Sequence, residues 1–437
     1  MARITRRGIV KGAGTFAAAA ALTPAELLGF AKAWAQTSQW KPEAGAKLNL
    51  LRWKRFVQAE DEAFVAITQA FAKATGVEVN ITNESFEDIQ PKASVAANIG
   101  QGPEIVWGLY SLPHLFPDKC LDVSDVADYL GKKYGGWVPS AEAYGKSGGK
   151  WISIPVATTG GLMNYRKSSM EKAGFKEFPK DTATFLELCK ALKKNNTPAG
   201  FALGHASGDA NTWLHWALWS HGGNTVDKDD KIILNSPETV KALEYVKQLA
   251  ETFIPGTASW NDSSNNKAFL SGDLHLTSNG ISIYVAAQKD RKDIAEDMDH
   301  AYLPIGPIGK PTELHLAFPI LAFNFTKSPN ACKAFMAFML EAENFNPWVG
   351  AAQGYLTHFL NAYDANPVWT ADPKRTPFRD VAKRTLTPGG LGTLGEKAAS
   401  AIADFIVVDM FANVATGRED PKGAIAIAER QLKRVYR

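Results

Sequence analysis

Three cysteines in 437 residues leave no room for a disulfide framework. Cys120 sits in a loop-like DKCLD and Cys189 and Cys332 in helix-like stretches, so at most one bridge could form, and buried inert thiols are expected. Also missing are a G-x-S-x-G elbow, a phosphate-binding glycine loop and a recognisable catalytic triad. His205, His215 and His221 share a region, but spacings of ten and six do not align them on one helix face and no cysteine joins them. No metal, cofactor or catalytic group is therefore expected, and nothing points to a carboxylate pair for glycoside cleavage. Internal repeats and low-complexity segments are absent, and no run after Gln36 reads as long and apolar enough to cross a membrane. Net charge is small, only +3, and nothing suggests a nucleic-acid or membrane-surface partner.

Much of that positive charge lies at the N-terminus. Thr5-Arg6-Arg7-Gly8-Ile9-Val10-Lys11, an alanine-rich apolar run from Phe16 to Leu22, and Ala33-Trp34-Ala35 before Gln36 read together as a twin-arginine export signal spanning residues 1–35. Removing Arg3, Arg6, Arg7, Lys11, Lys32 and Glu26 leaves a near-neutral chain, with no cysteine near the cleavage site to take a lipid. A soluble, exported, periplasmic protein is expected.

A chain of this length exceeds one hydrophobic core, so two lobes are expected. From Lys47 strand and helix patterns alternate: LNLLRW, the apolar face Phe64, Ile67, Phe71 closed by Gly76, VEVNI, and GPEIVWG. Such alternation implies a largely parallel sheet covered by helices. The stretch KWISIPVATTGGLMNYRK then breaks at Thr158-Thr159-Gly160-Gly161, where glycine can adopt backbone angles other residues avoid, as at a hinge or an ordinary turn. The reading is an α/β protein of two lobes, each a mostly parallel sheet flanked by helices, with a ligand cleft at the hinge. Residues 46–157 and 281–325 are assigned to the first lobe, and 158–280 with 326–437, including the C-terminal helices, to the second. Further crossings are expected near Asn279 and Leu314.

The order of motifs resembles family 1 extracellular solute-binding proteins of ABC importers, the maltose-binding-protein-like group. The resemblance rests on GPEIVWG, IPVATTGGLMNYRKSSMEKAG, NSPETVKALEYVKQL, NNKAFLSGDLHLTSNG, LAFNFTKSPNACKAFMAFML, GAAQGYLT and ATGREDPKGAIAIAERQLKRV, and covers nearly the whole chain after residue 35. Two positions depart from the family pattern: Ser282 and Ile283 follow Asn279-Gly280 where a tryptophan often stands, and Leu356-Thr357 replaces a Leu-Pro pair. The resemblance implies a two-lobe periplasmic binding protein, acting as a monomer without enzymatic activity, that delivers a carbohydrate to the membrane permease of an ABC importer.

Ligands of open α/β sheets bind beyond the carboxyl ends of the strands. That rule selects Trp53, Lys54 and Arg55, then Trp107 and Tyr110, then Thr158 and Thr159 at the break, and Asn279 and Gly280 opposite, with Trp260, Asn261 and Asp262 in the preceding loop. Trp213 is added from an aromatic helix of which about one tryptophan in three is expected to face the cleft, and Tyr355 from the family turn. Flat aromatic faces for C–H groups and planar polar groups for hydroxyls suit a sugar. Lys54 and Arg55 keep open an anionic solute such as a glycerophosphate or a sugar acid, and an exported carbohydrate-active enzyme is a further alternative. Each aromatic also has a duller reading as core packing.

Overall fold

The computed structural model of the protein describes residues 22–437, so the arginine pair and most of the apolar run expected to direct export lie outside the described residues. Helix α1 (Pro24–Thr37) opens this region. Strand β1 (Lys47–Trp53) follows with buried Leu48, Leu50, Leu51, Arg52 and Trp53. Helix α2 (Gln58–Thr75) buries Phe64, Ile67 and Phe71 at helical spacing and ends on Gly76, whose φ of 77° is the left-handed cap that glycine adopts without strain. Strands β2 (Glu78–Glu84) and β3 (Ile105–Trp107) run parallel to β1 on either side. The strand Leu316–Ala322 returns antiparallel to β3, the crossing strand Ile154–Thr159 lies beyond it, and Thr357–His358 forms the edge.

The second lobe centres on Leu162–Arg166, which lies between Leu276–Asn279 and Met298–Ala301 and is antiparallel to both. Here the expectation of a mostly parallel sheet needs correction. Leu276–Asn279 and Met298–Ala301 both run against the central strand, and the two are joined by the helices Ser282–Asp290 and Lys292–Asp297. The tryptophan-rich helix Asp209–Ser220 and the helices Pro237–Ala250, Ile406–Ala415 and Pro421–Val435 complete this lobe.

The lobe boundaries shift from those expected. The chain does not cross near Asn279, because Met298–Ala301 still pairs with Leu162–Arg166; it crosses near Leu314, as expected, between Glu313–Leu314, which packs on Asp209–Ser220, and Leu316, which pairs with Thr159 in the first sheet. The segment from residue 326 does not pass directly to the second lobe, because the helices Pro329–Met339 and Ala342–Ala351 pack on α2 and Thr357–His358 joins the first sheet. A third passage follows Thr385–Leu386, which pairs with Glu313–Leu314, and Thr393 N–H then donates to Asp230 in the second lobe. One stretch among the described residues, Glu396–Ala415, is long and apolar enough by composition to cross a membrane, contrary to expectation. It is two helices broken at Phe405, packed against Pro237–Ala250 and Pro421–Val435. The three thiols are free and buried, and burial pushes Cys120 up to about 12.

Beneath the first lobe's cleft edge lies a buried charge cluster. Glu60 accepts from Arg55 Nε at 2.5 Å and Nη2 at 2.9 Å and from Trp348 Nε1 at 2.8 Å, while Arg52 lies 3.5 Å from Glu60 and 3.2 Å from Asp61. The guanidinium of Arg55 sits over the rings of Trp53 and Trp107, at 4.2 and 4.6 Å. One carboxylate thus ties the end of β1 to α2 and to Ala342–Ala351. Replacing Glu60 by Ala leaves two buried guanidiniums short of a counter-charge, and a loss of about 3–5 kcal/mol in urea unfolding is expected; an unchanged midpoint would refute this role.

Candidate functional site

Between the lobes, where the strands end, two walls of different chemistry face each other. The first lobe supplies Phe56, Phe86, Leu316 and Tyr355, with Thr159 at the floor. Phe318 supports this wall from behind, its ring stacked on Tyr355 at 6.0 Å and 27°. The second lobe supplies Asp209, Thr212, Asp262, Asn279 and Ser282. The space left between the walls is only about 30 Å³, so the lobes stand nearly shut.

The polar wall is built from local structure. Asp262 Oδ1 accepts the N–H groups of Gly208 and Asp209 at 2.9 and 2.8 Å, at the first turn of Asp209–Ser220, where the helix dipole favours negative charge. Its other oxygen is buried without a partner among the described residues. Asp209 Oδ2 accepts from Asn265 Nδ2 at 2.8 Å. Asn279 donates to Asn265 Oδ1 at 3.0 Å and to Asn266 Oδ1, and its carbonyl accepts from Asn164. Burial, opposed by the two backbone N–H groups, pushes Asp262 up to about 7; burial and then the neighbouring Asp262 raise Asp209 well above the ordinary carboxylate range. Among the described residues, no Lys, Arg or His lines this space.

Glycines let the walls approach. A Cβ on Gly161 would lie 2.4 Å from Thr212 Cγ2, and one on Gly280 would lie 2.9 Å from Thr159 Oγ1. Neither residue has positive φ, so close approach, not the unusual backbone angle expected at the break, requires glycine there. The break is also pinned: Gly161 N–H donates to His315 Nδ1 at 3.2 Å, and His315 Nε2 lies 3.0 Å from Glu313. Tyr110 reaches across the cleft, its hydroxyl donating to Gly208 O at 2.9 Å and lying 3.1 Å from Thr212 Oγ1. Beyond Tyr110 and Phe86 a second cavity of about 270 Å³ continues between the lobes, walled by Leu109, Ile402 and Phe405. Phe405 has φ of 54°, strained for a bulky residue, and stacks on His205 at 4.4 Å.

Of the residues selected from sequence, Thr159, Asp262, Asn279, Gly280 and Tyr355 meet at the cleft, and Tyr110 bridges it. The others do not line it. Trp53 and Trp107 are fully buried against each other, Phe64, Phe86, Phe318 and Trp348, since a strand end under two helices is core. Arg55 is committed to Glu60, and Lys54 is exposed. Thr158 bonds Leu316 O inside the sheet. Trp213 donates to Ala202 O within the second core, and none of the helix's three tryptophans lines either cavity. Trp260 packs over Gly200, and Asn261 folds onto Ser263 and Ser264 in its own turn. Phe56, Phe86, Asp209, Thr212 and Ser282 were missed; the one signal for Asp209 was a Gly-Asp pair at the start of an apolar helix.

A model of the bacterial extracellular solute-binding protein family matches residues 66–377. A probable ABC transporter-binding protein of Deinococcus radiodurans is 26% identical over 204 residues, 45% of this chain and 49% of that protein. A putative ABC transporter periplasmic-binding protein of Escherichia coli is 25% identical over 309 residues, 66% of this chain and 68% of that protein. The chain thus spans about half the length of the first of these relatives. Among solved structures, maltose-bound T. maritima MalE3 superposes with a TM-score of 0.77 at 18% identity, covering 90% of this chain and 100% of that one. A sugar transporter protein from Arthrobacter chlorophenolicus with bound laminaribiose gives 0.76 at 21%, covering 90% and 99%. These likenesses establish the two-lobe fold.

The raised carboxyls have a consequence for stability. Asp262 and Asp209 bind protons more tightly folded than unfolded, so their contribution is present below pH 4 and is lost as pH rises toward 7. Thermal unfolding of Asp262→Asn compared with the unsubstituted protein should show a smaller fall in melting temperature between pH 5 and pH 8; parallel profiles would refute the assignment.

Proposed function

Because the chain belongs to the bacterial extracellular solute-binding proteins, we propose that it is the exported receptor of an ABC importer and that its ligand is a carbohydrate or related polyol. The observation that carries this is the pairing of walls: an aromatic face from one lobe opposite carboxylates, amides and hydroxyls from the other. Sugars present C–H faces to the first and hydroxyl donors to the second. The sugars named with several structural neighbours support the reading. Ligand reaches both walls only when the lobes close, so it shifts the population toward the closed form, which a membrane permease then meets.

The anionic alternative loses its cations: Arg55 is neutralised by Glu60, Lys54 faces solvent, and two carboxylates occupy the polar wall. The carboxylate pair is the one feature in common with an enzyme of glycoside cleavage, yet both come from the same lobe, Asp262 holding the N–H of Asp209 itself, so they do not flank a bond. Incubation with oligosaccharides should release no product.

Titration calorimetry of the exported protein against monosaccharides, disaccharides and polyols should give binding for at least one of them and none for sugar phosphates; the reverse pattern would sink the carbohydrate reading. Asp262→Asn and Tyr355→Ala should each weaken that binding about 10–100-fold, the effect of losing one charge-assisted hydrogen bond or one ring face. Cooperative unfolding at a similar temperature separates lost affinity from lost fold.

A further inference from the structure

We propose that the exported protein keeps helix α1 and that processing cuts N-terminal to Thr23 rather than after Ala35. This is independent of what the cleft binds. The first ground is that α1 is a finished helix, not a leader's tail. Thr23 and Glu26 form a reciprocal capping box: Glu26 N–H donates to Thr23 Oγ1 at 3.4 Å and Thr23 N–H to Glu26 Oε2 at 2.9 Å, with Pro24 at the first position. At the other end, Ser38 N–H donates to Trp34 O, and Lys41 Nζ donates to the carbonyls of Ala35 and Gln36 at 2.9 Å each.

The second ground is what α1 covers. Leu27, Ala31 and Trp34 form one buried stripe against the first lobe. The Trp34 ring lies 5.1 Å from Phe338 and 6.4 Å from Phe71, and Phe30 stacks on Phe338 at 5.9 Å. Trp34 Nε1 donates at 3.0 Å to Glu341, a carboxylate 1% exposed that also receives Tyr129 and Tyr134 hydroxyls and Lys133. Cutting after Ala35 would uncover Phe71 and Phe338 and strip a donor from a buried carboxylate. The Ala35–Gln36 bond itself lies inside a helical turn, whereas proteases cut chain that is exposed and locally open, so the whole helix would have to undock first. The run Ala17–Ala21, ahead of the capped helix in sequence, carries the same small-x-small pattern.

The test is intact mass and N-terminal sequencing of the full chain exported with its own leader by a bacterium that has the twin-arginine route. A first residue between Ala18 and Thr23 is expected; a start at Gln36, or an unprocessed chain, overturns the proposal. Ala35→Leu, which blocks cutting after residue 35, should be processed as fast as the unsubstituted protein, and the mature mass should carry the added leucine. Accumulated precursor, or a mature mass that does not change, would overturn it. Trp34→Ala should lower the melting temperature of the exported protein; identical melting would count against a docked helix.

Discussion

Everything at this cleft depends on how closely two walls can approach, and three glycines set that limit. Gly161 faces Thr212, Gly280 faces Thr159, and Gly208 lies where a Cβ would sit 3.1 Å from Leu316 Cδ2 of the opposite wall. A methyl group at the first two positions would meet atoms closer than van der Waals contact permits, and the walls would have to part. The sheet order supplies the rest of the geometry. The crossing strand and the return strand lie side by side in the first lobe, so the chain leaves and re-enters at neighbouring points. His315, on that return, holds the N–H of Gly161 and is itself held by Glu313, which also binds Arg384 from the third passage.

Charge is segregated in the same way. Arg52 and Arg55, at the end of β1, are turned inward onto Glu60 and Asp61 and lie over aromatic rings. What faces the ligand space is therefore an uncharged aromatic surface on one side and acid on the other. The buried ion cluster braces the strand end that carries Phe56, and the acidic wall is braced by a helix N-terminus and by asparagines whose amides bond one another. Rigid support behind each wall limits how far a side chain must be ordered when ligand arrives.

The two-lobe α/β plan was legible because strand and helix periods and their order survive in a single sequence. The lobe boundaries were less so: nothing local marks Met298–Ala301 as a partner of Leu162–Arg166. The strand-end rule located the cleft but not the side chains, since a residue at a strand end points either into the cleft or under it. Trp53, Trp107 and Trp213 fell on the buried side, whereas Thr159, Asp262, Asn279 and Tyr355 fell on the open one. The polar loop SWNDSSNN does contribute to the cleft, yet through Asp262, Asn265 and Asn266 and not through its tryptophan. Phe86 and Asp209 had no periodic signal at all, because each lines the cleft only through the way its lobe meets the other.

The acidic wall also explains how ligand could drive closure on the proposed reading. Asp262 Oδ2 and Thr159 Oγ1 are buried without partners among the described residues when the lobes stand shut, and two carboxyls share that space with no cation. These acceptors therefore depend on what occupies the cleft, since a buried polar group left without a partner costs about 1–3 kcal/mol. Tyr110, which spans the gap to Gly208 and Thr212, offsets part of that cost. A ligand carrying several hydroxyl donors removes the rest, and it does so only in the closed arrangement, where both walls reach it. On that reading the difference in affinity between open and closed forms is supplied by these buried acceptors, which both walls bring to the ligand only when shut.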